Sequence, residues 1–279
     1  MLIDPVKENV YWLALSSEAP RFAGVFRSMD EGATWQAVPG LEGKQVWSLV
    51  FWTSDTQVMA AGTEKGVYFT HDGGENWTLP SAPGGGSPHP VMSLAFDPTD
   101  ADTLYAGTPH LAWKTEDGGK TWRAIHKGME EDSDIFSLDV DAKLRTRLFA
   151  AACSGIYRSL DGGRTWFSLE HALGGQVRTY KIISSPRRPD AVYAATSAGV
   201  VVSWNGGSNW HRRTGKAARS VALDPANSRR IFVATDAGIL RSEDGGIHFE
   251  RTGTPESASS GRAQALPAAS LGVLVNKQR

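Results

Sequence analysis

Cysteine is almost missing from this chain. Cys153 stands alone among 279 residues, which excludes an internal disulfide and any cysteine-based metal cluster. Net charge is nearly missing too: 29 Lys and Arg face 30 Asp and Glu. No basic surplus exists to displace the counterions of a nucleic acid, so none is expected as a partner. No apolar run approaches the length of a membrane span, about 18 residues or more. The opening MLIDPVKENVYW carries no basic segment followed by an apolar one, so no secretory leader is visible. Together these absences point to a cytoplasmic protein, or to a secreted or periplasmic one whose leader has been removed. Helical periodicity is lacking as well, apart from one candidate turn near residues 129–134.

What the chain does contain is a repeat, and repeats are read before anything else. The octet SLDGGRTW at residues 159–166 recurs as SMDEGATW (28–35), THDGGENW (70–77), TEDGGKTW (115–122), SWNGGSNW (203–210) and SEDGGIHF (242–249). Successive closing aromatics lie 42, 45, 44, 44 and 39 residues apart. Four short strands with their turns need about that many residues, the size of one β-propeller blade. Each unit offers a strand a like SLAF, a strand b like LYAGT, a strand c like GVYRS and a strand d starting at the Trp. The expectation is an all-β, single-domain propeller over residues 1–279. Its repeats fall at about 1–38, 44–80, 89–125, 134–169, 177–213 and 217–252, with 262–276 as closing strands. Six blades are favoured. Seven is the alternative, because GRAQALPAASLGVLVN (261–276) mimics strands a and b of ARSVALDPANSRRIFVA (218–234). The tail would either lend a strand to the first blade or begin a seventh.

The octet reads as the hairpin turn between strands c and d. Its acid (Asp30, Asp72, Asp117, Asp161, Asp244; Asn205 in one copy) can accept N–H bonds from its own turn. The glycine at the fifth position (Gly32, Gly74, Gly119, Gly163, Gly207, Gly246) is the one present in all six copies and suits a positive φ. The closing Trp35, Trp77, Trp122, Trp166, Trp210 and Phe249 would cover the hairpin. Six copies argue for a structural clasp and against a catalytic motif.

These octets resemble the Asp-box, or bacterial neuraminidase repeat (BNR), Ser/Thr-x-Asp-x-Gly-x-Thr-Trp, over almost the whole chain. The resemblance implies a β-propeller with the octets on its outer rim, away from the usual ligand site. Sialidases, xyloglucanase-like glycoside hydrolases, sortilin-type receptors and the photosystem II assembly factor family share that fold and differ in function, so the resemblance alone assigns none.

Function is expected on the face where the d–a and b–c loops surround the central channel, because varied loops on a repeated scaffold carry binding. One column, ahead of a recurring Ser at the start of strand a, holds Trp47, Met92, Phe136, Tyr180 and Arg219, with Arg262 aligned in the tail. Filling the wedge between blades is the commoner use of such residues. A ring that stacks on a sugar or grips a peptide carboxylate is the functional one. On the opposite face Arg145 and Arg147, Arg187 and Arg188, and Arg229 and Arg230 would form a basic arc for an acidic partner, although a solvated charge run is the more usual outcome.

The leading reading is a non-catalytic binding or scaffold propeller that recognises a protein or glycan. The alternative is a glycoside hydrolase, which needs two carboxylates about 5 Å apart for retention or about 6.5–9.5 Å for inversion. Glu64, Glu130, Glu131, Asp132, Asp134, Glu170 and Asp236 are candidates, and no motif singles one out. The seven His residues are scattered, so no metal and no cofactor is expected.

Overall fold

Turn residues cut the chain into short β-branched and aromatic runs, and each group of four folds into an antiparallel meander. The structure is a computed structural model that describes residues 1–80, 86–130, 133–169, 173, 175, 177–188, 190–252 and 274–275. Blade 4 shows the plan: strands Ile135–Val140, Leu148–Ala152, Gly155–Ser159 and Phe167–Ser168 pair in order. Blades 5 and 6 repeat it from Thr179–Ser184 and Ala218–Leu223, and blade 3 from Ser93–Asp97. In blade 2 the fourth strand shrinks to one bridge, Phe69 with Thr78. Blade 1 pairs Leu2–Ile3, Tyr11–Leu15, Gly24–Ser28 and Gln36–Ala37, and Leu274–Val275 lies parallel beside Leu2–Ile3. Six sheets in a ring make a six-bladed β-propeller, and the tail segment 274–275 joins blade 1 instead of opening a seventh.

Strand b explains why the blades stack. Leu148–Ala152 and Val192–Thr196 are buried at every residue, since a middle strand is covered on both faces by adjacent blades. Small and β-branched residues suit that place. Five apolar clusters fill the gaps between successive blades from 1 to 6. Among the described residues no such cluster joins blade 6 to blade 1.

Strand a carries a second repeated device. In blades 2, 4, 5 and 6 its register slips by one residue just past its first position, at Trp47, Phe136, Tyr180 and Arg219. A β-bulge of this kind re-aims one side chain without moving the rest of the strand.

Candidate functional site

The octets behave as clasps. In the first, Ser28 Oγ bonds Asp30 Oδ1 at 2.7 Å and accepts Gly32 N–H at 2.8 Å. Asp30 in turn accepts the Thr34 N–H and hydroxyl at 2.8 and 2.6 Å. The same set recurs at Asp72, Asp117, Asp161 and Asp244, and at Asn205 without the side-chain bond from four residues on. Hydrogen bonds from Thr34 hold Asp30 down at about 2, and those from Asn76 hold Asp72 at about 2. Each acid is engaged within its own turn. Trp35, Trp77 and Trp210 donate their indole N–H to the octet's glycine carbonyl, whereas Trp166 donates to Ile125 O of the preceding blade at 2.8 Å.

The universal glycine has a further cause beyond its positive φ. A Cβ on Gly74 would sit 2.7 Å from Trp12 Cη2, on Gly207 2.8 Å from Phe149 Cε1, and on Gly246 3.0 Å from Tyr193 Cε1. Each ring belongs to the blade before. Hence the turn of one blade is the seat for an aromatic of its neighbour.

At the other end of the blades the four bulged residues converge with Met92 of blade 3. Trp47, Met92, Phe136, Tyr180 and Arg219 line one cavity of about 110 Å³ at the channel mouth. Phe136 and Tyr180 stack with ring centroids 6.2 Å apart. Arg178 lies over Phe136 at 5.3 Å and Arg219 over Tyr180 at 4.9 Å, so a guanidinium closes each end of the stack. Arg219 also reaches Asp236 at 3.2 Å, an exposed pair. Trp47 keeps 38% of its surface exposed. Arg262, the sixth residue of this column, lies outside the described residues.

The basic arc is divided by its own ion pairs. Arg147 is buried, bonded to Asp141 at 2.6 Å and to Asp190 of the next blade at 2.5 Å. Arg230 pairs with Asp224 and Glu243 at 3.1 and 2.9 Å, and Arg188 approaches Gly245 O at 3.5 Å. Arg187 and Arg229 are exposed, and Arg145 touches only the Thr99 hydroxyl at 3.2 Å among the bonds seen. Of the six arginines, three therefore tie turns together and three face solvent.

Among the hydrolase candidates, Glu131, Asp132 and Glu170 lie outside the described residues. Asp236 engages Arg219, and Glu64 Oε2 is buried with no hydrogen-bond partner. Glu130 N–H meets Tyr157 Oη, and Asp134 O accepts Cys153 N–H.

Two residues escaped sequence reasoning, Asp139 and Lys181. The strand-a register aligns Ser48, Ser93, Ser137, Lys181 and Ser220 in one column, and Val50, Ala95, Asp139, Ile183 and Ala222 two places on. Each column is broken once, by a charge, in adjacent blades. Comparing columns beyond the bulge would have found them.

The turn geometry, repeated six times around a closed ring, settles the architecture. The chain is a six-bladed β-propeller with turns of the Asp-box pattern. A protein-family model described as Sortilin, neurotensin receptor 3 (Sortilin-Vps10) matches residues 23–150. No curated protein matches the sequence. Among solved structures, the Niastella koreensis GH74 enzyme is similar at 20% identity and TM-score 0.69, over 87% of this chain and 44% of that one. YCF48 bound to D1 peptide is similar at 19% identity and TM-score 0.62, over 89% and 80%. The extracellular domain of BT4673 from B. thetaiotaomicron follows at 14% identity and TM-score 0.63, over 82% and 30%. The propeller spans about half or less of the GH74 chains it matches. At these identities the likeness is one of fold. No helix among the described residues is long and apolar enough to cross a membrane.

Proposed function

We propose that this propeller is a non-catalytic binding module whose channel mouth receives a segment of a protein partner. The observation that supports it is the convergence of five bulky side chains, one from each of blades 2 to 6, around one open cavity. Wedge filling alone would bury them, yet Trp47 is exposed and the Phe136–Tyr180 stack ends in two guanidinium groups. Exposed aromatics beside arginine are the composition of binding hot spots. They suit a peptide carrying apolar side chains and a carboxylate, which arginine holds in bidentate fashion. The likeness to YCF48 bound to D1 peptide lends a precedent from the same fold. A glycan is the second reading, favoured by the exposed Trp47 ring as a stacking platform.

Peptide and glycan arrays probed with the purified chain test this directly. Trp47→Ala and Tyr180→Ala should each weaken capture about tenfold or more, the loss of one hot-spot residue. Binding confined to glycans would move the assignment to the second reading. Equal binding by wild type and both variants would reject the mouth as the site.

A further inference from the structure

The channel continues inward from the mouth. Beyond it lies a second cavity of about 180 Å³, and Leu2, Val50, Leu94, Leu138 and Lys181 line both chambers. These five form the waist between them. The inner chamber is walled mostly by apolar residues, among them Pro98, Pro186 and Pro225, with Thr53, Asp139, Lys181 and Ser184 as its polar features.

The scaffold has no need of charges here. Serine at the Lys181 position works for the fold: Ser93 Oγ donates to Ile135 O of the next blade, and Ser137 Oγ to Ile182 O. Lys181 gives up that link. Among the described residues its ammonium has no hydrogen-bond or ion-pair partner. Asp139 is bonded by Ser184, through its N–H at 2.9 Å and its hydroxyl, and attracts Lys181 without closing to ion-pair distance. Burial pushes Asp139 up to about 7 and lowers Lys181. At neutral pH the acid therefore offers only part of a countercharge. Lys181 is half-buried, and an ammonium held short of water without a partner is unfavourable, a penalty that a ligand supplying the missing anion would offset. Violations of a scaffold's own pattern gather at functional positions.

We propose that the inner channel is a binding site for a small hydroxy acid, its carboxylate held by Lys181 and a hydroxyl group bonded to Asp139. The volume of the chamber, about 180 Å³, suits a small acid. This site adjoins the mouth, sharing Lys181 with it, but takes a different ligand, so failure of the partner-binding reading leaves it intact.

The test uses titration calorimetry with L-malate and D-gluconate, and sorbitol as the uncharged comparison. Lys181→Ser and Asp139→Ala restore what the other blades carry, so both variants should fold. At least one acid should bind wild type with one-to-one stoichiometry and raise its Tm, and sorbitol should not. Lys181→Ser should match or exceed the wild-type Tm without ligand and bind the acid at least tenfold more weakly, and Asp139→Ala should also bind it more weakly. Any of three results would overturn the proposal. Neither acid binds wild type; an acid binds Lys181→Ser as tightly as wild type; or Lys181→Ser is less stable than wild type, which would make the lysine a fold residue.

Discussion

Gly162 and Gly207 sit one column apart in the repeated turn, both at positive φ, +72° and +81°. What differs is the neighbour. A Cβ on Gly162 would lie 3.9 Å from Tyr105 Oη, in ordinary contact, whereas on Gly207 it would press on Phe149 Cε1 at 2.8 Å. Gly162→Ala should therefore cost the strain of an L-residue at positive φ, about 1–2 kcal/mol. Gly207→Ala adds overpacking, for a total of about 2–4 kcal/mol. Urea unfolding of the two variants checks the difference; equal losses would mean that the ring of blade 4 does not seat on the turn of blade 5. The positive φ was legible in the sequence, because it follows from a local turn. The ring was not. Phe149 and Gly207 are 58 residues apart, and nothing in either octet names its partner.

Among elements, the turns between strands a and b show how similar letters take opposite roles. Arg145 and Arg147 are separated by one residue, yet Arg147 is clamped between Asp141 and Asp190 while Arg145 reaches only the Thr99 hydroxyl among the bonds seen. Arg147→Ala would leave Asp141 buried beside an empty place and should cost roughly 3 kcal/mol or more. Arg145→Ala should fall within about 0.5 kcal/mol of wild type. Thermal and urea denaturation of both variants decide it, and equal effects would return Arg147 to the exposed arc. Sequence reasoning saw three arginine pairs as a single feature because only the folded turns, within and across blades, show which arginine meets an acid. It did find the aromatic column, since bulky residues recur at one place in the period. It did not foresee the bulge that turns them toward the axis, a backbone event with no letter of its own. Asp139 and Lys181 were passed over for a related reason: a single charge in a column reads as surface variation until the register shows that the column lines the channel.

For the molecule as a whole, the junction of blade 6 with blade 1 stands apart from the other five. Phe232 occupies the register place of Phe149 and Tyr193, both fully buried, but remains partly exposed, and Ile239 is 52% exposed. The atoms nearest to a Cβ on Gly32 of blade 1 belong to Tyr11 and Trp35 of its own blade. The parallel pairing of residues 274–275 with Leu2–Ile3 bridges this junction near the axis. Local opening follows low apolar contact. Hydrogen exchange should thus release amides of Gly238–Ser242 and Tyr11–Leu15 at least tenfold sooner than those of Val192–Thr196. Uniform protection around the ring would show that the junction is as tight as the rest.

The slipped register of strand a carries a consequence for how such a surface changes over time. Because the displaced residue answers to neither the pairing before it nor the pairing after it, its identity is decoupled from folding. Four such places around one opening act as a small alphabet, in which recognition can be rewritten one letter at a time while every blade keeps its shape.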